Sequence, residues 1–454
     1  MKVMKFGGTC MSNNEMMTKV EDVIAREKEE KVILVSAVAG VTDNISGFIE
    51  SFHSDEEIEN YVKELKKLHL KLLPPDEDLT KEATTALDQR FNKLETLLYG
   101  VSYTEEITPR TRDLIISMGE RLSSIVLATR LRARGLNSSF FNSDELGIIT
   151  DGVHGNATAD LKECERSVGP KIFALSKAGV IPVVTGFFGI SPGGHVTTFG
   201  RGGTDYSASV LGFACSASVI EIWKDVDGFM TADPKMATDA KQVDKLSYEE
   251  AAELAYFGAK VLHPRTVFPA MEKDIPIAVR NVLKPDSAGS MIFKNSTKRK
   301  NILKSVSYLR NIATIKVFGT GAGYKTGFLR DISEAMSEAD INIYSATTSQ
   351  TCVAMLIEKS DVKKAQDILE KMLGGYYERL EVTENIALIC TVGSGLASTR
   401  GIAARVFKVV AANDVNVDLI SAGASTVAYH FTIDKKDLQK TIRAIHDEFF
   451  PKKS

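Results

Sequence analysis

Nothing in this chain of 454 residues suggests a disulfide scaffold, a membrane span or a surface of one charge. Its five cysteines, Cys10, Cys164, Cys215, Cys352 and Cys390, are odd in number and scattered, with no C-x-x-C pair. That argues against both a disulfide framework and a zinc motif, and for buried thiols in a reducing compartment. No run of about 18 apolar residues occurs, and Met1-Lys2-Val3-Met4-Lys5-Phe6 lacks the apolar stretch of a signal peptide, so a cytoplasmic protein with no membrane partner is expected. A net charge of −3 leaves no electrostatic footprint for nucleic acid or anionic lipid. Small molecules are the default partners.

What is present is ordinary in bulk: 44% hydrophobic and 25% charged residues, as in globular proteins. At about 150 residues per domain the length implies two to four units. The informative signals are local. Phe199-Gly200-Arg201-Gly202-Gly203-Thr204-Asp205-Tyr206-Ser207-Ala208 combines three glycines, an arginine and the start of an apolar helix. Glycines admit a close backbone approach, helix-start amides favour an anion, and a guanidinium grips carboxylate or phosphate in two places. An ordinary glycine loop leading into a capped helix is the alternative reading.

In chain order, Lys2–Phe6 reads as a strand ending at Gly7-Gly8-Thr9, with an amphipathic helix from Met16 through Ile24. That is the strand, loop and helix layout of phosphate-binding α/β proteins, with Lys5 just before the glycines, unless Lys5 is merely solvated. Lys31–Ala37 is an apolar strand of a parallel sheet. Ser36 and Thr42 at its carboxyl end are candidate ligand contacts or, equally, a strand end and a helix cap. The stretch from about 54 to 110 carries two apolar stripes, Ile58, Val62, Leu65 and then Leu87, Phe91, Leu94, Leu98, and predicts an inserted helical hairpin. Gly119, inside a predicted helix, hints at a close neighbour. Glu120 beside it would receive an ammonium, or else pair with Arg121 or Arg112 on a wet surface. Strands recur at 139–141, 181–187 and 219–223. Trp223–Lys235 leaves the last as an acidic turn, with spacing that fits no EF-hand, and 256–262 predicts a helix stopped at His263-Pro264.

Beyond about Asn301 the sequence repeats itself. Gly319 and Gly393, Gly327 and Gly401, Asn342 and Asn416 are each 74 residues apart. Each copy reads as a ferredoxin-like βαββαβ module. Gly319–Thr326 superficially imitates a P-loop, but Tyr324 replaces the glycine before the lysine, so it is not a nucleotide site.

Taken together, Lys5–Thr9, Ser36–Thr42, Phe199–Ala208 and Tyr256–Pro264 resemble the aspartate kinases in order and spacing, over essentially the whole chain. The resemblance implies a mostly parallel αβα amino-acid-kinase domain at 1–300, with ACT modules at 301–380 and 381–454. It implies transfer of the γ-phosphoryl of ATP, with Mg²⁺ held through phosphates and water, to the side-chain carboxylate of L-aspartate, the first step toward lysine, threonine and methionine. Lys5, Asp205 and Arg201 would be catalytic. Ser36, Thr42, Glu120, Arg201, Gly202, Gly203 and Thr204 would hold aspartate. Lys5, Phe6, Gly7, Gly8, Lys224, Asp225, Met230, Lys235, Lys260 and Val261 would hold nucleotide. Cys10, Lys224, Met230 and Lys235 stand where the family usually has Ser, Thr, Tyr and Arg, implying altered ATP affinity. The modules imply feedback by an amino acid and a homodimer or higher homo-oligomer. Gly327, Phe328, Leu329, Thr347, Thr348 and Ser349 resemble the lysine-responsive class more than the threonine-responsive one, although Gln350 and Tyr344 replace its two acids. Sister kinases acting on glutamate or acetylglutamate, and a non-catalytic amino-acid-binding regulator, are the competing readings.

Overall fold

The computed structural model describes residues 1–52, 54–294, 302–320, 322–324, 326–374 and 377–451. Lys300 and Asn301 at the expected domain boundary, and Gly321 and Lys325 of the imitation P-loop, lie outside these. Contacts divide the chain into two units. One comprises Met1–Phe229, Asp244–Ala252 and Lys260–Ser296; the other comprises Met230–Val243, Glu253–Ala259 and Thr297–Ser454. Among the described residues no helix is long and apolar enough to cross a membrane. All five cysteines are free thiols.

The first unit is built on strands β1 (Lys2–Phe6), β2 (Lys31–Val35), β3 (Ser138–Phe141), β4 (Ile181–Thr185), β7 (Val219–Lys224), β8 (Lys245–Ser247), β9 (Ile277–Asn281) and β10 (Ser290–Phe293), with β5 (Phe188–Ile190) and β6 (Val196–Thr198) as a separate hairpin. The order is β3-β4-β2-β1-β7-β9-β10-β8, parallel throughout except where β9 meets β10. Alternation along β1 and β2 sends Met4, Phe6, Ile33 and Val35 into one core, packed with Met17, Val20 and Ile24 of helix Asn14–Arg26 and Leu122 and Ile125 of helix Met118–Ala133. The same alternation turns Lys5 to the opposite face, where the wholly buried helix Gly203–Ala214 lies. Helices therefore cover both faces of the central strands, as an all-parallel pairing requires.

The inserted segment is helical as expected, in the helices Asp55–Leu70 and Glu77–Thr104, capped by Ser54 and Asp76. The helix anticipated to run through Gly119 is instead two, Pro109–Ile116 and Met118–Ala133, so Gly119 stands at the start of the second. A Cβ there would meet that of Ala37 at 2.8 Å, which is the close neighbour its presence suggests. The helix predicted over 256–262 is not formed. Instead the helix Tyr248–Tyr256 ends where that one was expected to begin, because Gly258 adopts φ 107°, and Lys260 and Val261 sit in the following turn.

In the second unit β11 (Ser305–Phe318), β12 (Ile343–Thr348), β13 (Cys352–Glu358), β14 (Arg379–Val392), β15 (Ile420–Ala422) and β16 (Ala428–Asp434) form one antiparallel sheet, ordered β12-β13-β11-β14-β16-β15. The repeat is visible as strand, helix, two strands and helix in each copy. The copies are joined through β11 and β14, whose long pairing lets each end of either strand serve a different copy. Residues 380 and 381 therefore lie inside β14 rather than between elements.

Candidate active site

The site begins with three groups that the sequence scatters over some two hundred positions. Lys5 Nζ donates to Asp205 Oδ1 at 2.6 Å, and Lys224 Nζ donates to Asp205 Oδ2 at 2.9 Å. All three stand at strand or helix ends: β1, β7 and the first turn of helix Gly203–Ala214. Pairing of β1 directly beside β7 brings the lysines to neighbouring strands. Burial alone would raise the Asp205 pKa, yet the ammoniums of Lys224 and Lys5 outweigh it and hold the carboxyl far below its usual range. Burial, aided by Lys224, lowers the pKa of Lys5 against the pull of Asp205. Two cations thus share one anion, and the cluster carries a net positive charge suited to phosphate oxygens.

Two glycines follow Lys5 beside that cluster. A Cβ on Gly7 would come within 3.6 Å of Lys5 Nζ, and one on Gly8 within 3.1 Å of the Ala37 carbonyl. Of the two glycines that the resemblance implies hold nucleotide, Gly7 has its N–H engaged in the sheet, donating to the Trp223 carbonyl at 3.1 Å. Sheet continuation beyond Phe6 takes that amide and leaves Gly8 as the candidate cradle. Phe6 itself is buried in the core and stacks on Trp223. Asp225, next to Lys224, accepts from the Thr9 hydroxyl at 3.2 Å.

The loop carrying Arg201 is shaped by contacts that only glycine allows. Gly200 and Gly202 adopt φ 76° and 73°, with the Gly155 carbonyl 2.8 Å and the His263 ring 2.6 Å from where a Cβ would stand. Arg201 is exposed on this loop, four residues before Asp205, while Gly203 and Thr204 are buried in the helix start. His263 packs under Gly202 and accepts the Arg265 N–H on Nδ1, so it is a structural cap of the Pro264–Thr266 turn. Gly202→Ala is expected to destabilise the fold by about 1–3 kcal/mol through strain at positive φ and collision with His263. Denaturant melts of the variant beside the parent chain measure the loss.

Glu120 is not on the wet surface that its alternative reading requires. It is 2% exposed, and the arginines offered as surface partners are engaged elsewhere, Arg121 with Asp144 at 2.7 Å and Arg112 with Glu50 at 2.8 Å. Its Oε1 accepts the Ala37 N–H at 3.1 Å, while Oε2 is buried with no hydrogen-bond partner. Burial raises its pKa to about 8 against the opposing pull of the Ala37 amide, Lys5 and Arg121. Oε2 is thus a buried carboxyl oxygen without a protein partner, within the field of Lys5, and such groups are chemically suited to a cationic ligand. Ser36, whose N–H donates to the Phe6 carbonyl, and Thr42, in helix Val41–Ile49, border the same Ala37 loop.

Met230 and Lys235 belong to the second unit, as do the tentative effector residues. Gly327 starts helix Phe328–Glu338 at φ 92°, Phe328 is buried and Leu329 exposed. Thr347 and Thr348 end edge strand β12, and the Ser349 hydroxyl accepts the Cys352 N–H at 3.1 Å.

Two residues escaped the sequence reading. Asp113 is buried and accepts from the Thr198 hydroxyl at 2.6 Å and the Gly155 N–H at 3.1 Å, and it pairs with His154 Nδ1 at 2.7 Å. It thereby holds the backbone that abuts Gly200. Its partners lie 41 to 85 positions away, so no local pattern marks it. Phe187, at φ 75°, is a strained non-glycine residue whose N–H is held by the Ser207 hydroxyl at 2.8 Å.

A model of the amino acid kinase family matches residues 1–281, and two ACT-domain models match 307–371 and 389–449. Aspartokinase 1, chloroplastic, of Arabidopsis thaliana is 33% identical over 465 residues, covering 99% of this chain and 80% of the relative. Aspartokinase 3, chloroplastic, of the same plant is 32% identical, covering 99% and 81%. Among solved structures, E. coli aspartokinase III in complex with aspartate and ADP (R-state) superposes with a TM-score of 0.84 at 26% identity, covering 99% of this chain and all of that one. The same enzyme with lysine and aspartate (T-state) gives 0.82.

Proposed function

The chain belongs to the amino acid kinase family, among its aspartokinases, and on that premise we propose that it transfers the γ-phosphoryl of ATP to the side-chain carboxylate of L-aspartate. The observation carrying this reading is the pairing of an unpartnered buried carboxyl, Glu120, with a net-cationic cluster at Lys5, Asp205 and Lys224. One suits an amino acid's ammonium, the other a polyphosphate.

The acceptor carboxylate, with an unperturbed pKa near about 3.9, is already an anion at neutral pH and needs no general base. The barrier lies in bringing it in line with a polyphosphate of the same sign, so the chain's contribution is positioning and charge. Glu120 receives the ammonium of aspartate and exposed Arg201 its α-carboxylate, with Ser36, Thr42, Gly202, Gly203 and Thr204 around them. Lys5 bridges the transferring phosphate oxygens, and Lys224 supplies a second cation. Asp205, bound to both ammoniums, is a positioning anion that aims them. Both its oxygens are taken by lysines, so Mg²⁺ arrives as part of the nucleotide substrate, held through phosphates and water. Gly8, Asp225, Lys260 and Val261 complete the nucleotide contacts in this unit; Met230 and Lys235 are carried over from the resemblance alone.

The test is ADP release with aspartate and with glutamate as acceptors. Turnover with aspartate and little with glutamate is expected. ADP release with glutamate only, or with neither, sinks the assignment. Arg201→Lys should raise the KM for aspartate at least about 10-fold in the same assay, since an ammonium cannot reproduce the two-point grip of a guanidinium.

The ACT modules are proposed to carry feedback control, with Gly327–Leu329 and Thr347–Ser349 as the effector contacts. Tyr344, standing for one acid of the lysine-responsive pattern, donates its hydroxyl to Glu358 at 3.0 Å, so an acid is retained at one remove. Lysine is therefore preferred to threonine as effector. Calorimetric titration with lysine, threonine and methionine decides it, and no heat from any of the three removes them as effectors. Among the described residues β12 and β15 are the edge strands of the sheet, the places where a second copy could pair, and this favours a homodimer. The free thiols fit a reducing compartment such as the cytosol.

A further inference from the structure

Cys390 and His430 are direct cross-strand partners on β14 and β16. Their neighbours Ile389 and Phe431 point into the helix-packed core, so alternation turns Cys390 and His430 to the other face of the sheet. There the segment Glu253–Ala259, which belongs to the same unit, lies against them: Phe257 stacks on the His430 ring with centroids 4.5 Å apart. Glu253 completes a group in which a carboxylate oxygen, a thiol sulfur and an imidazole nitrogen all lie within 4.8 Å of one another. Cys390 is fully buried, His430 is 5% exposed, and His430 Nδ1 has no hydrogen-bond partner.

We infer that Glu253, Cys390 and His430 form a binding site for a divalent transition-metal ion, with zinc the best chemical match. Thiolate, imidazole and carboxylate are the three donor types zinc accepts, and the mixture is too soft for Mg²⁺ or Ca²⁺. Bonds of about 2.0–2.3 Å in tetrahedral geometry put donors roughly 3.3–3.8 Å apart, so the three need close by only about 1 Å or slightly more. The unpartnered nitrogen by itself would not define a site. An imidazole nitrogen of His430 converging with a thiol and a carboxylate, drawn from two strands and a helix, assembles three donors around one point. Binding replaces the thiol proton, which burial and the nearby Glu253 charge hold firmly in the free protein. The ion would fasten the segment Glu253–Ala259 to the sheet face.

The experiment uses the full chain, stripped with EDTA and titrated with Co²⁺ and then Zn²⁺. Expected are one equivalent of Co²⁺ per chain, a thiolate-to-cobalt charge-transfer band with tetrahedral d–d absorption, and displacement of both by Zn²⁺. Cys390→Ser should abolish the charge-transfer band, His430→Gln should weaken binding at least about 100-fold, and Cys352→Ser, at a half-buried thiol outside the cluster, should change nothing. Absence of a charge-transfer band in the native chain overturns the proposal, as does a band that survives Cys390→Ser or unaltered affinity in His430→Gln. If Cys390→Ser fails to fold by circular dichroism, Glu253→Gln takes its place with the same criterion of weakened binding as His430→Gln.

Discussion

Replacing Lys5 with alanine will lower kcat at least about 100-fold, a loss of roughly 2.7 kcal/mol of barrier stabilisation, while the fold persists. The fold persists because Asp205 keeps Lys224 as a partner when Lys5 is removed, so no carboxylate is left alone in the interior. The rate falls because Lys224 is tied to the far oxygen of Asp205 and cannot occupy the place above Gly7 that Lys5 fills. The contrast with Asp205→Asn is informative. Removing the shared anion sets two ammoniums against each other in a buried site, where unshielded like charges are costly. That variant should lose stability as well as rate, whereas Lys5→Ala loses chiefly rate. Circular dichroism melts beside initial rates separate the two. Near-normal kcat in Lys5→Ala would remove this residue from the reaction.

Glu120→Gln will raise the KM for aspartate at least about 100-fold, through the loss of a buried charge partner for the substrate's ammonium. The wild-type site also carries a pH signature. With its pKa raised to about 8, Glu120 is mostly protonated in the ligand-free chain at neutral pH, yet it must be a carboxylate to pair with an ammonium. Binding of aspartate therefore expels a proton, and the KM should fall as pH rises from about 6 to about 8. Stability runs the other way. Because the folded carboxyl holds its proton at a pH where the unfolded one does not, its contribution is complete below the ordinary value of 4.5 and is lost as pH rises through about 8. The glutamine variant should show neither slope. Calorimetry in buffers of different protonation enthalpy measures the expelled proton directly. A KM that is flat with pH in the wild type would mean either that Glu120 is already ionised in the free site or that the ammonium is held elsewhere, and Glu120→Gln separates the two, since only the first raises its KM.

The proposed zinc site bears on the same division between chain and fold. Scattered cysteines without a C-x-x-C pair gave no reason to look for a metal, because sequence motifs report only ligands brought together by one turn or hairpin. Cys390 and His430 are forty positions apart and meet through strand pairing; Glu253 comes from a segment over a hundred residues earlier.

Glycine and apolar spacing, read without coordinates, were enough for the parallel strands, the helical insertion, the duplicated modules and the loop from Phe199 to Asp205. Each of these rests on a preference that a residue carries with it: freedom at positive φ, a period of two or of 3.6, and the small size that lets Gly119 meet Ala37. Tertiary structure decided which charges meet. Lys224 joins Lys5 on Asp205 because β1 pairs with β7. The Gly7 amide is consumed by Trp223 for the same reason. Glu120 is buried rather than paired on the surface, with Arg112 and Arg121 bound to Glu50 and Asp144 instead. Electrostatic partnership depends on distance and on the exclusion of water, and for residues far apart in sequence neither is defined until the chain has folded.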